Sequence, residues 1–162
     1  MPVNLFYRTP LGVARITDDD GFISAISIRD EDIEANEPET ELLKTVALQF
    51  DEYFAGKRKD FDFPIKQAGT DFQQKVWQQL LQIPYGNTTS YAALSNQMKS
   101  PLAIRAIASA NGKNNLWIVV PCHRVIGSDG SLTGYAGGLW RKQWLLEHEA
   151  RIAGTGQTKL AF

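Results

Sequence analysis

The spacing of hydrophobic and polar positions changes along this chain, and each change marks an element. Three short runs near the start, Val3–Arg8, Gly12–Thr17 and Phe22–Ile28, are rich in β-branched and aromatic residues. They read as strands. The turn formers Thr9-Pro10-Leu11-Gly12 and Asp18-Asp19-Asp20-Gly21 separate them, which makes the arrangement a meander. An acidic loop follows, and then the period lengthens. Leu42, Leu43, Val46, Phe50, Tyr53 and Phe54 recur as one face of a helix, which Gly56 ends. Phe61-Asp62-Phe63-Pro64 reads as a short edge strand and Pro64 to Gly69 as a linker.

Helical spacing dominates the second half. Thr70 and Gln73 form a capping box ahead of an apolar face at Phe72, Val76, Leu80 and Leu81, and Pro84-Tyr85-Gly86-Asn87 stops the helix. Ser90 caps a short helix carrying Tyr91, Leu94 and Met98. Ser100-Pro101 opens another, with Pro at its favoured first position and Gly112 as the stop. Two short helices joined by a tight turn, the second holding Arg105, match a helix-turn-helix. Ala103, Ala106, Ala108 and Ala110 on that second helix either let its backbone approach a partner closely or serve as ordinary helix formers. Trp117-Ile118-Val119-Val120 is strand-like, and Leu139 to Arg151 form a last helix with Trp140, Trp144 and Leu145 on its apolar side. Trp77, Trp117 and Trp140 are expected in the core, His148 at the surface, and Gly154 onward as a loose tail.

At 162 residues the chain is long enough for two small domains sharing an interface. With 43% apolar and 22% charged residues it can bury a core and is not disordered. No apolar run approaches the ~20 residues of a membrane helix, and the start of the chain lacks signal-peptide character. One Cys and two His exclude an internal disulfide and are too few for a structural zinc site, so no metal is expected and a reducing cytosol is the default setting. The net charge of −1 hides a division. Residues 1–63 carry 7 Lys and Arg against 14 Asp and Glu, whereas residues 64–162 carry 10 against 4. Acidic runs such as Asp18-Asp19-Asp20 are expected to be solvated loops. A half with so few acids points instead to a polyanion, because Lys and Arg gain affinity by releasing counterions from phosphates.

The sole cysteine stands in Pro121-Cys122-His123-Arg124-Val125. Thiols react as thiolates, and a free thiol with a pKa of about 8.5 needs a base or cation nearby. His123 is adjacent. A buried, inert cysteine is the alternative, but a polar, partly cationic neighbourhood favours chemistry.

Taken in order, Phe72–Trp77, Ser90-Tyr91, Arg105-Ala106, Asn111-Gly112-Lys113-Asn114, Pro121–Val125, Gly134-Tyr135-Ala136-Gly137-Gly138-Leu139 and Trp144-Leu145-Leu146-Glu147-His148-Glu149 resemble the O6-alkylguanine-DNA alkyltransferases, over roughly residues 70–150. The N-terminal half is similar more loosely, through Phe50–Gly56 and Phe61. The resemblance implies an α+β fold of two small domains. A β-meander with a helix, ribonuclease H-like, spans 1–63; a winged helix-turn-helix-like domain with the active site spans 70–153; a tail spans 154–162. It implies that Cys122 accepts the alkyl group, and that His123, through a water and oriented by Glu149, takes the thiol proton. By the same resemblance Asn114 ties the recognition helix to the active-site strand, and Tyr91 protonates N3 of the leaving guanine. Arg105, beside Ala106 at the DNA, fills the gap left by the flipped nucleotide. Backbone groups at Cys122, Val125 and Ala136 read the guanine edges, and Tyr135 and Gly137 line the pocket. Ala136 stands where some members carry Ser, and Asn115 where Pro is common.

The implied partner is double-stranded DNA containing O6-alkylguanine, with O4-alkylthymine a further candidate, bound through the minor groove. No cofactor is required. A monomer is expected, with cooperative assembly along DNA left open. The chemistry agrees: dealkylating a purine ether needs a soft nucleophile and an assisted leaving group, and the base must leave the stack first. A damage-sensing, non-catalytic relative would lack the acceptor Cys. A helix-turn-helix regulator would present base-reading side chains where residues 101–111 offer mainly Ala, Ile and one Arg. A Cys-His hydrolase would hold those residues far apart in sequence and carry an oxyanion-hole motif.

Overall fold

A computed structural model of the chain describes residues 2–30, 32–100 and 103–154. Pro101 and the tail from residue 155 onward lie outside the described residues, and the recognition helix, expected to open at Ser100-Pro101, begins only at Ile104, after Ala103 at an N-cap with no side-chain hydrogen bond. The chain divides into two compact units, residues 1–68 with 115–119, and residues 69–114 with 120–162. The first is built on a sheet and the second on helices, an α+β arrangement.

In the first unit, β1 (Pro2–Thr9), β2 (Gly12–Asp19) and β3 (Phe22–Arg29) form an antiparallel meander in the order β1-β2-β3. Asp20 and Gly21 both take positive φ, 55° and 85°, the geometry of the two-residue turn whose twist matches a hairpin. Leu5, Ala14, Ile16, Ile23 and Ile26 are buried, and α1 (Glu41–Phe54) buries Leu43, Val46, Phe50 and Tyr53. Asp18 departs from the solvated loop expected of its run. It is 6% exposed, accepting from Gly21 N at 3.0 Å and from Thr40 Oγ1 at 2.7 Å, while Thr40 caps α1 through Leu43 N. A carboxylate can be buried there because its lone pairs are satisfied.

Two further expectations fail in this unit. Phe61–Pro64 forms no strand, because Phe61 and Phe63 pack into the aromatic cluster of Phe50 and Tyr53 and the Gln49 side chain holds Asp62. The pairing falls one step later, within the expected linker, where Ile65 bridges Ile23 through Ile23 N to Pro64 O (2.9 Å) and Lys66 N to Ile23 O (3.0 Å). The strand-like run at 117–120 is a turn. Leu116 bridges Ile26, and then Val119 N bonds Trp117 O at 2.9 Å around Ile118 at φ 74°. A β-branched residue at positive φ is strained, the rarer form of a γ-turn. Its side chain is 1% exposed, so burial holds the strained backbone in place.

The second unit contains α2 (Asp71–Leu80), β4 (Thr89–Ser90), α3 (Tyr91–Gln97), α4 (Ile104–Gly112), β5 (Val125–Ile126) and α5 (Leu139–Ala153). The capping box of Thr70 and Gln73 forms at α2, and Ser90 caps α3 through Ala93 N at 3.0 Å. Val76, Trp77 and Leu80 form the buried side of α2, while Leu81 is 39% exposed. Trp77 Nε1 donates to Ala110 O at 2.9 Å and fastens α2 to α4. Among the described residues no helix is long and apolar enough to cross a membrane.

Candidate active site

Cys122, His123 and Arg124 form one turn of 3-10 helix between Pro121 and β5. Parallel pairing of β4 with β5, Thr89 with Val125 and Ser90 with Ile126, brings the start of α3 alongside this turn. Tyr91 follows β4 directly and Arg124 precedes β5 directly, so two short strands align phenol and thiol segments. Asn114, just past α4, donates from Nδ2 to Val120 O at 2.8 Å and hydrogen-bonds the Cys122 thiol. It therefore joins the exit of α4 to the cysteine turn, which is a turn and not the strand expected.

Cys122 is 4% exposed, and burial pushes its thiol up from the ordinary value while the Asn114 hydrogen bond and the Lys142 charge pull it down. His123 is fully buried, and its Nε2 lies 2.8 Å from Glu149 Oε2. Glu149 also takes Arg124 Nε at 2.7 Å and Nη2 at 3.1 Å, a two-pronged ion pair that Arg124 extends to Ile83 O at 2.7 Å. Burial opposes the Glu149 charge, yet His123 and Arg124 together hold the carboxyl well below its usual range. For His123 burial dominates and lowers the imidazole, against the pull of Glu149. The pair thus stands as carboxylate and neutral imidazole, with Arg124 balancing the charge. A carboxylate only accepts, so the ring proton sits on Nε2. That leaves Nδ1 as the basic nitrogen, and it has no hydrogen-bond partner among the described residues.

A second cation stands close by. Lys142 is fully buried, its Nζ donating to Val125 O at 2.6 Å, Thr133 O at 3.2 Å and Thr133 Oγ1 at 3.4 Å. Burial lowers its pKa from 10.5 to about 8, against the attraction of the Cys122 thiolate. Asn111 Nδ2 reaches both Cys122 O (3.4 Å) and the Tyr91 phenol oxygen (3.3 Å), and Thr133 Oγ1 reaches the same phenol at 3.3 Å. The loop of Tyr135, Ala136 and Gly137 closes through Gly138 N to Tyr135 O (2.9 Å), and Arg141 Nη1 grips Gly137 O at 2.9 Å. Gly138 precedes α5 at φ 90° and ψ 152°, a conformation only glycine adopts without strain. Burial, then the Cys122 charge, pushes the Tyr135 phenol well above its ordinary pKa.

Of the expected residues, Tyr135 and Gly137 stand on the loop that closes before α5, and the others fall into two groups. Cys122, His123, Glu149, Asn114, Val125 and Tyr91 are drawn together as described. Arg105 and Ala106 lie exposed on α4, away from this hydrogen-bond network, and Ala136 is exposed on its loop. Arg124 and Asn111 enter the sequence reading only inside quoted motifs, without a role, and Lys142 and Thr133 do not enter it at all. Positions 142, 145, 146 and 149 share one helical stripe, so Lys142 and Glu149 amid leucines signal a buried charge site. With charged residues on that stripe, Trp140 is displaced outward to 49% exposure, where the Arg141 guanidinium covers its ring at 4.6 Å. His148 is buried instead, stacked on Trp144 at 4.8 Å.

Two family models match. Residues 71–151 match the DNA binding domain of 6-O-methylguanine DNA methyltransferase, and residues 3–67 match its ribonuclease-like domain. The constitutive methylated-DNA–protein-cysteine methyltransferase of Bacillus subtilis is 47% identical over 138 residues, covering 80% of this chain and 84% of that protein. The Mycobacterium tuberculosis protein of that name is 54% identical over 101 residues, 62% of this chain and 61% of that protein. The crystal structure of M. tuberculosis O6-methylguanine methyltransferase superposes with a TM-score of 0.84 at 38% identity, covering 93% of this chain and 94% of that one. A structure of the M. tuberculosis protein in complex with DNA gives 0.83 at 39% identity, covering 91% and 92%.

Proposed function

The chain belongs to the 6-O-methylguanine DNA methyltransferase family, and from that premise we propose that it repairs DNA by moving the alkyl group of O6-alkylguanine onto its own Cys122. His123 Nδ1 takes the thiol proton through a water, and Sγ attacks the alkyl carbon. The carbon–O6 bond breaks, its electron pair enters the purine ring, and Tyr91 gives a proton to N3. The product is a thioether, which neutral water does not cleave, so each molecule acts once and needs no cofactor.

One observation carries this reading: Glu149, pinned by Arg124, fixes the proton of His123 on Nε2 and leaves Nδ1 unprotonated, on the residue next in the chain to the sole cysteine. The buried Lys142 ammonium supports the thiolate that forms. The pair α3–α4 acts as a helix-turn-helix in the minor groove. The exposed Arg105 and Ala106 meet the duplex there, and Arg105 occupies the place of the flipped nucleotide. Backbone groups of Cys122, Val125 and Ala136 read the base, Tyr135 and Gly137 line its pocket, and Asn114 couples α4 to the cysteine turn. Residues 1–63 serve as support. Incubation with a duplex carrying O6-[³H]methylguanine tests the reading: label becomes bound to the intact protein and is absent from Cys122→Ala, which still binds DNA. Label that stays on DNA with the intact protein refutes it.

A further inference from the structure

Tyr91 is reached by two donors. Asn111 Nδ2 and Thr133 Oγ1 each lie 3.3 Å from its phenol oxygen. The same Thr133 hydroxyl accepts from Lys142 Nζ at 3.4 Å, and its carbonyl accepts from that ammonium at 3.2 Å. A hydroxyl that accepts from an ammonium has its own proton free to donate, so the direction of the line is set: Lys142 to Thr133 to Tyr91. The phenol oxygen, with both neighbours donating to it, keeps its single proton for a third group. In the reaction proposed above that group is the leaving guanine.

We propose that Thr133 is a positioning residue that connects the buried ammonium of Lys142 to the phenol of Tyr91, so that the proton given to the leaving group is replaced along this line. This inference rests on the alkyl-transfer reading. As the carbon–O6 bond breaks, Tyr91 releases its proton to N3, takes the Thr133 hydroxyl proton, and Thr133 takes one from Lys142, which ends neutral. No phenolate is left in the site, and no outside reactant is needed. Lys142 suits the last place in the line. It is fully buried on three oxygen acceptors, and burial brings its pKa to about 8, so it holds its proton at neutral pH and gives it up more readily than an exposed lysine. Asn111 has a second role as the brace of this line. Its other contact, Cys122 O at 3.4 Å, ties the phenol to the cysteine turn.

The test compares wild type, Thr133→Val and Thr133→Ser in single-turnover transfer from an O6-methylguanine duplex, in H₂O–D₂O mixtures, and in alkylation of Cys122 by iodoacetamide. Valine keeps the shape and removes the hydroxyl; serine restores it. Thr133→Val is expected to slow transfer about tenfold, a part of the 10²–10⁴-fold typical of general acid assistance. Its solvent isotope effect falls and loses the curvature that several moving protons give, while its iodoacetamide rate stays within twofold of wild type. Thr133→Ser recovers both rate and curvature. Equal transfer rates for wild type and Thr133→Val overturn the relay, as does a matching loss in the iodoacetamide reaction, or a serine variant as slow as valine. If the wild-type protein itself takes no label, the alkyl-transfer reading fails first, and the relay with it.

Discussion

Glu149→Gln removes one negative charge from a buried place where three hydrogen bonds converge, at 2.8 Å from His123 Nε2, 2.7 Å from Arg124 Nε and 3.1 Å from Arg124 Nη2. The carboxylate is 1% exposed and Arg124 is 6% exposed, so water cannot replace the lost partner. Breaking a buried ion pair on one side costs about 3–5 kcal/mol. Arg124 keeps Ile83 O at 2.7 Å, which places the expected loss near the lower end, about 3 kcal/mol. With a urea dependence of about 2 kcal/mol per molar, the unfolding midpoint drops by roughly 1.5 M. An exposed pair would lose under about 1 kcal/mol. The sign in pH follows from the depressed carboxyl. Its contribution is fully present above the unfolded value of about 4.3 and is lost as pH falls toward the folded value, so the variant has a flatter acid limb. In chemistry, a glutamine that turns its NH₂ toward the ring forces the proton to Nδ1 and removes the base, for an expected loss of about 10²–10⁴ in transfer rate. Urea titration gives the first quantity, single-turnover labelling the second, and iodoacetamide rates against pH show the apparent thiol pKa rising. A midpoint within about 0.3 M of wild type, together with an unchanged iodoacetamide profile, would refute the reasoning, because the buried carboxylate would then set neither the stability nor the ionisation of the thiol.

Three other residues give separable outcomes. Lys142 falls from 10.5 unfolded to about 8 folded, so over that window the unfolded chain holds a proton the folded chain has lost. Wild type should therefore gain about 3 kcal/mol on Lys142→Met as pH rises through the window, measured by urea unfolding at each pH; a flat difference would mean the ammonium is solvated. Arg105→Ala should slow repair of duplex strongly and barely affect free O6-benzylguanine, which needs no extrusion. Tyr91→Phe should slow both. Equal impairment by Arg105→Ala on duplex and free base would show that this arginine holds the active site together instead.

The meander and most helix ends were legible because local signals and packing agree there, the exception being the recognition helix, which starts at Ile104 without a capping side chain. Asp20-Gly21, Thr70 with Gln73, and Ser90 each do in the structure what their residue types favour. The turn at 117–120 was not, because Val and Ile have strand preferences and only tertiary burial makes Ile118 accept φ 74°. Phe61 and Phe63 misled for a related reason, since aromatic packing and a glutamine side chain replace the ladder that their alternation suggests. At the site, Cys122, His123 and Glu149 could be read through the resemblance, but the partners that set their charge states could not. Lys142 looks like an ordinary surface cation until α5 is seen to turn 142 and 149 inward, and the pairing of Arg124 with Glu149 shows only then. The roles of Asn111, although it stands in a quoted motif, and of Thr133 were not readable, because a hydroxyl or amide becomes part of a line only through what stands at its other end.

The central claim is that Cys122 takes one alkyl group and then stops. Titrating the protein with an O6-methylguanine duplex, followed by intact mass measurement and peptide mapping, tests it most directly. The account predicts a sharp endpoint at one methyl group per chain, all of it on Cys122, with no further repair by the methylated protein. Repair that continues past one equivalent, or methyl found on another residue, would contradict it.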